Sequence, residues 1–466
     1  MTLPVRALLV SYAFPPVGGA GVQRVLKLVK YLPSHGVAAS VLTVENPSVP
    51  VRDKSLERDV PNGTVILRAA TLEPSYGAKR AAWSAAADDS QHLATRIKKR
   101  LVGLGRRLLI PDPQALWLPG SARALARRLW SGEADDVVFI SGPPFSQFLL
   151  APLARLRRGT AVVLDYRDEW TTTRNAYEMG GATRASAWLE RIVLRSAHAV
   201  TTATDEFRAE LLARFDFLDP SRVYSIPNGY DPDDFPDPLP EPPADRFVLT
   251  YVGTVFRLTS ARGLIEGIRR VHARDPELAR LLDVRFIGRI VETETAFFDG
   301  TEALGVSRWG YIEHARAVAE LAASHAALCI LDNVVGVDRI YPAKIFEIMH
   351  LGLPCLALVP DGALARLVLH HGLGEVVDPR DPDAIATALQ RMLGEFRDGL
   401  LGAARRSATP RVDIARFHRG RLAGEVASVF RSAIELARRN RSESTRHTDR
   451  TALSRCAASP RPTRPT

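Results

Sequence analysis

Residues 5–24 read Val5-Arg6-Ala7-Leu8-Leu9-Val10-Ser11-Tyr12-Ala13-Phe14-Pro15-Pro16-Val17-Gly18-Gly19-Ala20-Gly21-Val22-Gln23-Arg24. A mostly apolar run of strand length, Val5–Tyr12, passes into a turn rich in proline and glycine. A helical pattern over Ala20–His35 follows. Strand, glycine-rich turn and helix, in that order, make the first unit of a doubly wound α/β domain. Glycines here let backbone N–H groups approach a phosphate or a sugar, and the helix N-terminus adds positive potential. A tight turn without a ligand is the other reading of this segment. No Gly-Lys-Ser/Thr follows, which excludes a Walker loop.

Outward from this unit the alternation continues. Strands are expected at Ala38–Val44, Thr64–Ala70, Asp136–Gly142, Ala161–Asp168, His198–Thr204 and Val223–Pro227. Helical patterns such as Ser146–Arg157 and Asp205–Phe215 lie between them. Continuous apolar strands separated by helices predict a parallel sheet covered on both faces. Residues 231–245 then hold six prolines, which reads as a linker. The alternation restarts with strands expected at Phe247–Gly253, Val284–Ile290, Ala327–Asp332, Pro354–Val359 and Glu375–Asp378. Helices are expected near 260–273, 313–324, 342–351, 361–371 and 381–396.

The expected organisation is an N-terminal domain over 1–230, the linker 231–245, and a second domain over 246–410. A helix over 411–438 is free to pack back on the first domain. Residues 439–466, rich in Arg, Ser, Thr and Pro, read as a disordered basic tail. The 466 residues suit two domains of roughly 200 residues each. Two such domains leave a cleft at the carboxyl ends of their strands, where ligands bind.

Composition narrows the function. Apolar residues at 46% and charged residues at 24% fit a globular protein. No run of 18 apolar residues exists, so no membrane-spanning helix is expected. Met1–Val10 reads as a buried strand rather than a signal peptide. Cys329 and Cys355 sit in apolar runs as free thiols, and with Cys456 they show no metal-ligand spacing. These features suit the cytoplasm.

The net charge of +10 is concentrated in two places. Residues 438–466 hold eight arginines against Glu443 and Asp449. Residues 92–109 hold Arg96, Lys98, Lys99, Arg100, Arg106 and Arg107 with no acid. The rest is near neutral, so no nucleic-acid groove is expected. In 92–109, Leu93, Ile97, Leu101, Leu104 and Leu108 share one helical face. That pattern suits a helix lying on the inner face of a membrane, near a lipid-linked acceptor. A surface helix docked on the first domain is the alternative, and Gly103 and Gly105 weaken any helix.

Two segments of the second half can carry chemistry. Tyr341-Pro342-Ala343-Lys344-Ile345-Phe346-Glu347 opens a helix that Gly352-Leu353-Pro354 ends. A pyrophosphate there would meet free amides and the Lys344 ammonium, and Glu347 could accept from ribose hydroxyls. A solvated Lys344–Glu347 pair is the bland alternative. Tyr251-Val252-Gly253-Thr254 leads to Ser260-Ala261-Arg262-Gly263, where Arg262 could fork onto diphosphate oxygens. Arg257 is a second candidate, or simply a solvated loop arginine.

Several segments taken together resemble family 4 glycosyltransferases of the GT-B fold, an α/β architecture of two Rossmann-like domains facing a cleft. The resemblance covers about residues 5–435. It is carried by the Pro15-to-Gly21 turn, Ser141-Gly142-Pro143-Pro144, Asp165-Tyr166-Arg167-Asp168-Glu169-Trp170, Ile226-Pro227-Asn228-Gly229-Tyr230-Asp231, Gly253 to Gly263, and Lys344 to Pro354.

The resemblance implies a nucleotide-diphosphate sugar in the second domain, an acceptor in the first, and retention of anomeric configuration. It puts Arg262 and Lys344 at the diphosphate and Glu347 at the ribose. The base falls at Trp309-Gly310-Tyr311-Ile312, and Gly18 and Gly19 face the diphosphate across the cleft. Three departures stand out. Arg339 replaces a glutamate commonly found near the sugar hydroxyls, with Asp338 beside it as a substitute. Thr254 replaces an arginine after Gly253. The first-domain histidine of some members is missing, and Arg167 and Asp168 occupy a comparable region; a structural ion pair beside Trp170 is their other reading.

No cofactor or metal is expected. Asp231-Pro232-Asp233 and Asp381-Pro382-Asp383 read as turn and cap chemistry. A degenerate binding or scaffold protein and a sugar-nucleotide epimerase are the alternative functions. The donor base, sugar and acceptor stay open.

Overall fold

The computed structural model describes residues 4–87, 109–132, 134–171, 184–401 and 414–457. Apolar runs that alternate between two hydrophobic layers make the first sheet. In β1 (Val5–Val10), Ala7 and Leu9 face one layer, and Leu8 and Val10 face the other. β2 (Val37–Val44), β3 (Val65–Ala69), β4 (Val137–Gly142), β5 (Ala161–Tyr166), β6 (Ala199–Thr202) and β7 (Val223–Ser225) complete it. The order is β3-β2-β1-β4-β5-β6-β7, every pair parallel.

The second sheet holds β8 (Phe247–Val252), β9 (Leu282–Ile287), β10 (Val306–Gly310), β11 (Ala326–Ile330), β12 (Cys355–Leu358) and β13 (Gly374–Val377). Its order is β10-β9-β8-β11-β12-β13, again parallel. Strand order reverses at β1/β4 and at β8/β11, so each sheet opens a crevice at its carboxyl edge. The glycine turn follows β1 and Gly253 follows β8. Both therefore stand at these crevices.

Several expectations change. β10 was not foreseen: Arg308, Trp309 and Gly310 are exposed, so this edge strand lacks an apolar signature. The last helix spans Arg419–Ala457, running through most of the stretch from residue 439 expected to be disordered. Leu422, Val426, Phe430, Ile434 and Ala437 of this helix share a core with Leu9, Val22 and Val29 of the first domain. Tyr230 and His418, where the chain crosses between lobes, are bridged side by side. Cys329 and Cys355 are buried free thiols. Among the described residues, no helix is long and apolar enough to cross a membrane. Segment 92–108, and with it the membrane-surface reading, lies outside the described residues.

Candidate functional site

A cavity of about 510 Å³ lies between the two sheets. The first lobe contributes Gly18, Gly19, Arg24, Arg167, Asp168 and Glu169, and the second Gly253, Arg289, Tyr311, Lys344 and Glu347.

The glycine turn is held from both lobes. A Cβ on Gly18 would fall 2.7 Å from the Tyr311 hydroxyl, so only glycine admits this approach. The Tyr311 hydroxyl donates to Asp53 Oδ2 at 3.0 Å, and the His314 backbone N–H donates to the same oxygen at 3.0 Å. Burial opposes ionisation of Asp53, yet bonds from Ser55, His314 and Tyr311 hold its carboxyl below the usual range. Arg167 ties β5 to the turn by donating to the carbonyls of Gly142, Pro143 and Gly21. Beneath it, Arg24 forks onto buried Asp165, which also accepts from Ser141 at 2.6 Å and Thr201 at 2.7 Å.

Lys344 opens the helix Lys344–Leu351. Its Nζ lies 3.4 Å from the Tyr251 ring centroid, and a Cβ on Gly253 (φ +140°) would fall 3.0 Å from it. Among the described residues no ion pair engages Lys344. The helix N-terminus, this ammonium and the Gly253 backbone meet at one place in the cleft, a ready anion cradle.

Glu347 stands one turn further on. Burial pushes its carboxyl up from the ordinary glutamate value, opposed by His314, Arg419 and Lys344. His314 Nε2 lies 4.0 Å from Glu347 and 3.5 Å from Asp234. Burial disfavours its charge, but Asp234 and Glu347 outweigh that and raise its pKa.

The structure moves other expected residues away from the cavity. Arg262 opens the helix Arg262–Arg274 but is exposed outside the cavity, 5.9 Å from the Phe297 ring. The neighbouring Gly263 packs on the Pro379 carbonyl, where a Cβ would fall 1.9 Å away, so this turn faces the 379 loop. Arg257 is exposed and also outside. Arg262 therefore does not line the cavity in which its diphosphate role was expected. Asp338, 53% exposed, does not line the cavity. Arg339 does line it, and binds Glu169 of the opposite lobe.

Four lining residues escaped the sequence reading: Glu169 as a partner of Arg339, Arg289, His314 and Arg419. Arg289 follows β9 just after Gly288, which packs so closely that a Cβ would fall 2.1 Å from the Gly253 carbonyl. Gly-Arg directly after an apolar strand was the available signal. Arg419 comes from the start of the last helix, 8% exposed, with no ion pair among the described residues.

Oxygens of Asp59, Asp231 and Asp234 lie close enough to suggest a cation site. The Lys27 ammonium already sits among them, at 2.6, 2.7 and 2.6 Å. Asp231 and Asp381 accept from backbone N–H groups two residues on, as turn and cap residues do.

Residues 18–229 match the family described as glycosyl transferase 4-like domain. Over 116 residues, 23% of this chain, the protein is 28% identical to alpha-maltose-1-phosphate synthase of Mycolicibacterium smegmatis. The chain spans 30% of the length of that curated relative. Sucrose-phosphate synthase from Thermosynechococcus elongatus shares the fold with a TM-score of 0.62 at 16% identity, over 93% of this chain and 100% of that one. HepE of Anabaena, solved with UDP and glucose, gives 0.58 at 12% identity, over 92% and 100%. The first domain thus matches the glycosyl transferase 4-like family over residues 18–229, and the chain as a whole shares the two-domain fold of these glycosyltransferase structures.

Proposed function

We propose that the protein is a retaining hexosyltransferase moving a sugar from a nucleotide-diphosphate donor to a hydroxyl acceptor: a glycan, a lipid-linked molecule or a small molecule. The observation that carries this reading is Lys344, unpaired among the described residues at a helix N-terminus, set against Gly253 and facing the glycine turn of the other lobe. Lys344 and Arg289 stabilise the diphosphate as the C1–O bond breaks and the electron pair leaves with it. The acceptor oxygen bonds C1 on the same face, and its proton passes to the departing phosphate oxygen. No side-chain nucleophile or metal enters this scheme. Glu347 receives the ribose hydroxyls, Tyr311 borders the base, and Asp168 lies on the acceptor side. The basic, amphipathic sequence of 92–109 supports an acceptor at a membrane surface.

A thermal-shift screen against UDP, GDP, ADP and their sugars tests the donor class, because ligands of the native state raise Tm by mass action. A shift with one base, lost in Lys344→Ala and Glu347→Ala, is expected. No shift with any nucleotide would overturn the reading.

A further inference from the structure

Glu347, the carboxylate assigned to the ribose, is embedded in a chain of alternating charge that runs out of the cavity and across the lobes. His314 Nε2 stands 4.0 Å from Glu347 and 3.5 Å from Asp234. Asp234 binds the Lys27 ammonium at 2.6 Å, and Lys27 also holds Asp59 and Asp231. On the cavity side stands Arg419, whose guanidinium carries no ion pair among the described residues and whose charge reaches Glu347 and Asp234. The His314 backbone is pinned separately by Asp53. The imidazole therefore faces Glu347 on its own lobe, Asp234 of the crossing segment and, behind that, Lys27 of the first lobe.

A buried carboxylate without nearby cations takes up a proton, and then it can no longer accept both ribose hydroxyls. We propose that His314, as an imidazolium, and Arg419 are positioning residues of the nucleotide subsite, holding Glu347 ionised and turned toward the ribose. The proposal rests on the nucleotide-sugar reading. It assigns neither residue to the reacting atoms.

The sign of the pH effect follows. His314 titrates above its ordinary value, and its charge is needed, so affinity falls as pH rises through that pKa. Glu347 also titrates above its ordinary value, so affinity falls again as pH drops through it. Nucleotide binding should be bell-shaped in pH, whereas binding of a ligand without ribose should lack the His314-dependent limb.

Calorimetric titration of the full chain with UDP, or with GDP or ADP if the thermal screen selects it, and separately with inorganic pyrophosphate, tests this between about pH 5 and pH 9. His314→Gln and Arg419→Met should each weaken nucleotide binding roughly tenfold, the loss of one charge-assisted contact. His314→Gln should also erase the alkaline limb, and Arg419→Lys should recover most of the affinity. Pyrophosphate affinity should be unchanged throughout, and melting curves report whether each variant folds. Equal losses for pyrophosphate, unchanged nucleotide binding, or an alkaline limb that survives His314→Gln would overturn the proposal. Absence of nucleoside diphosphate binding by the natural chain would instead overturn the underlying donor reading.

Discussion

Arg339 of the second lobe and Glu169 of the first form a two-pronged ion pair across the cleft, Nε to Oε1 at 2.5 Å and Nη2 to Oε2 at 2.9 Å. The Thr204 hydroxyl adds a bond to the Arg339 carbonyl at 2.8 Å, also between lobes. The arginine that breaks the family pattern thus fastens the lobes together at the wall of the cavity. Both side chains are largely buried, at 15% and 6% exposure, so removing one takes a two-pronged contact from a buried charge. Arg339→Met should cost about 3 kcal/mol in equilibrium denaturation, and adding Glu169→Gln should cost much less than a second such loss.

Lys344 and Arg262 were equivalent candidates by sequence, and the structure separates them. Lys344→Met should lower kcat about a hundredfold, the scale of one preorganised contact to a developing anion. Arg262→Ala, outside the cavity, should leave kcat and donor KM unchanged. Initial-rate kinetics on the two variants checks both statements.

Glu190 supplies a pH effect remote from the cleft. It is 1% exposed, accepts from the Thr171 hydroxyl, and burial pushes its pKa up to about 7. The unfolded value is near 4.3. An acid with a raised folded pKa adds stability while protonated and loses that contribution as pH rises from about 4 through 7. Glu190→Gln should therefore melt close to the natural chain near pH 4 and at a higher temperature near pH 8. Scanning calorimetry at the two pH values checks it.

Burial on both faces explains what the sequence made legible. β4 and β5 are buried at every position, so each opens as an apolar run of four residues, Val137–Ile140 and Ala161–Leu164. β10 carries Arg308 and Trp309 on an exposed edge, and such a strand imitates a loop. Lys344 and Glu347 line the cavity, and a helix start fixes where its first turn points. Arg262 also begins a helix, but its outward course depends on Gly263 meeting Pro379, a contact that no local pattern encodes. Arg419 and His314 were missed for the same reason. Their roles depend on segments brought together only by the crossing of the chain at Tyr230 and His418.

That crossing also bears on synthesis. The first sheet is complete once Ser225 has emerged, yet the apolar stripe from Leu422 to Ala437 that seals one of its layers follows only after the whole second lobe. A nascent chain released from the ribosome early would carry an open hydrophobic flank. The amino-terminal lobe therefore cannot bury that layer until the chain has passed through the whole second lobe.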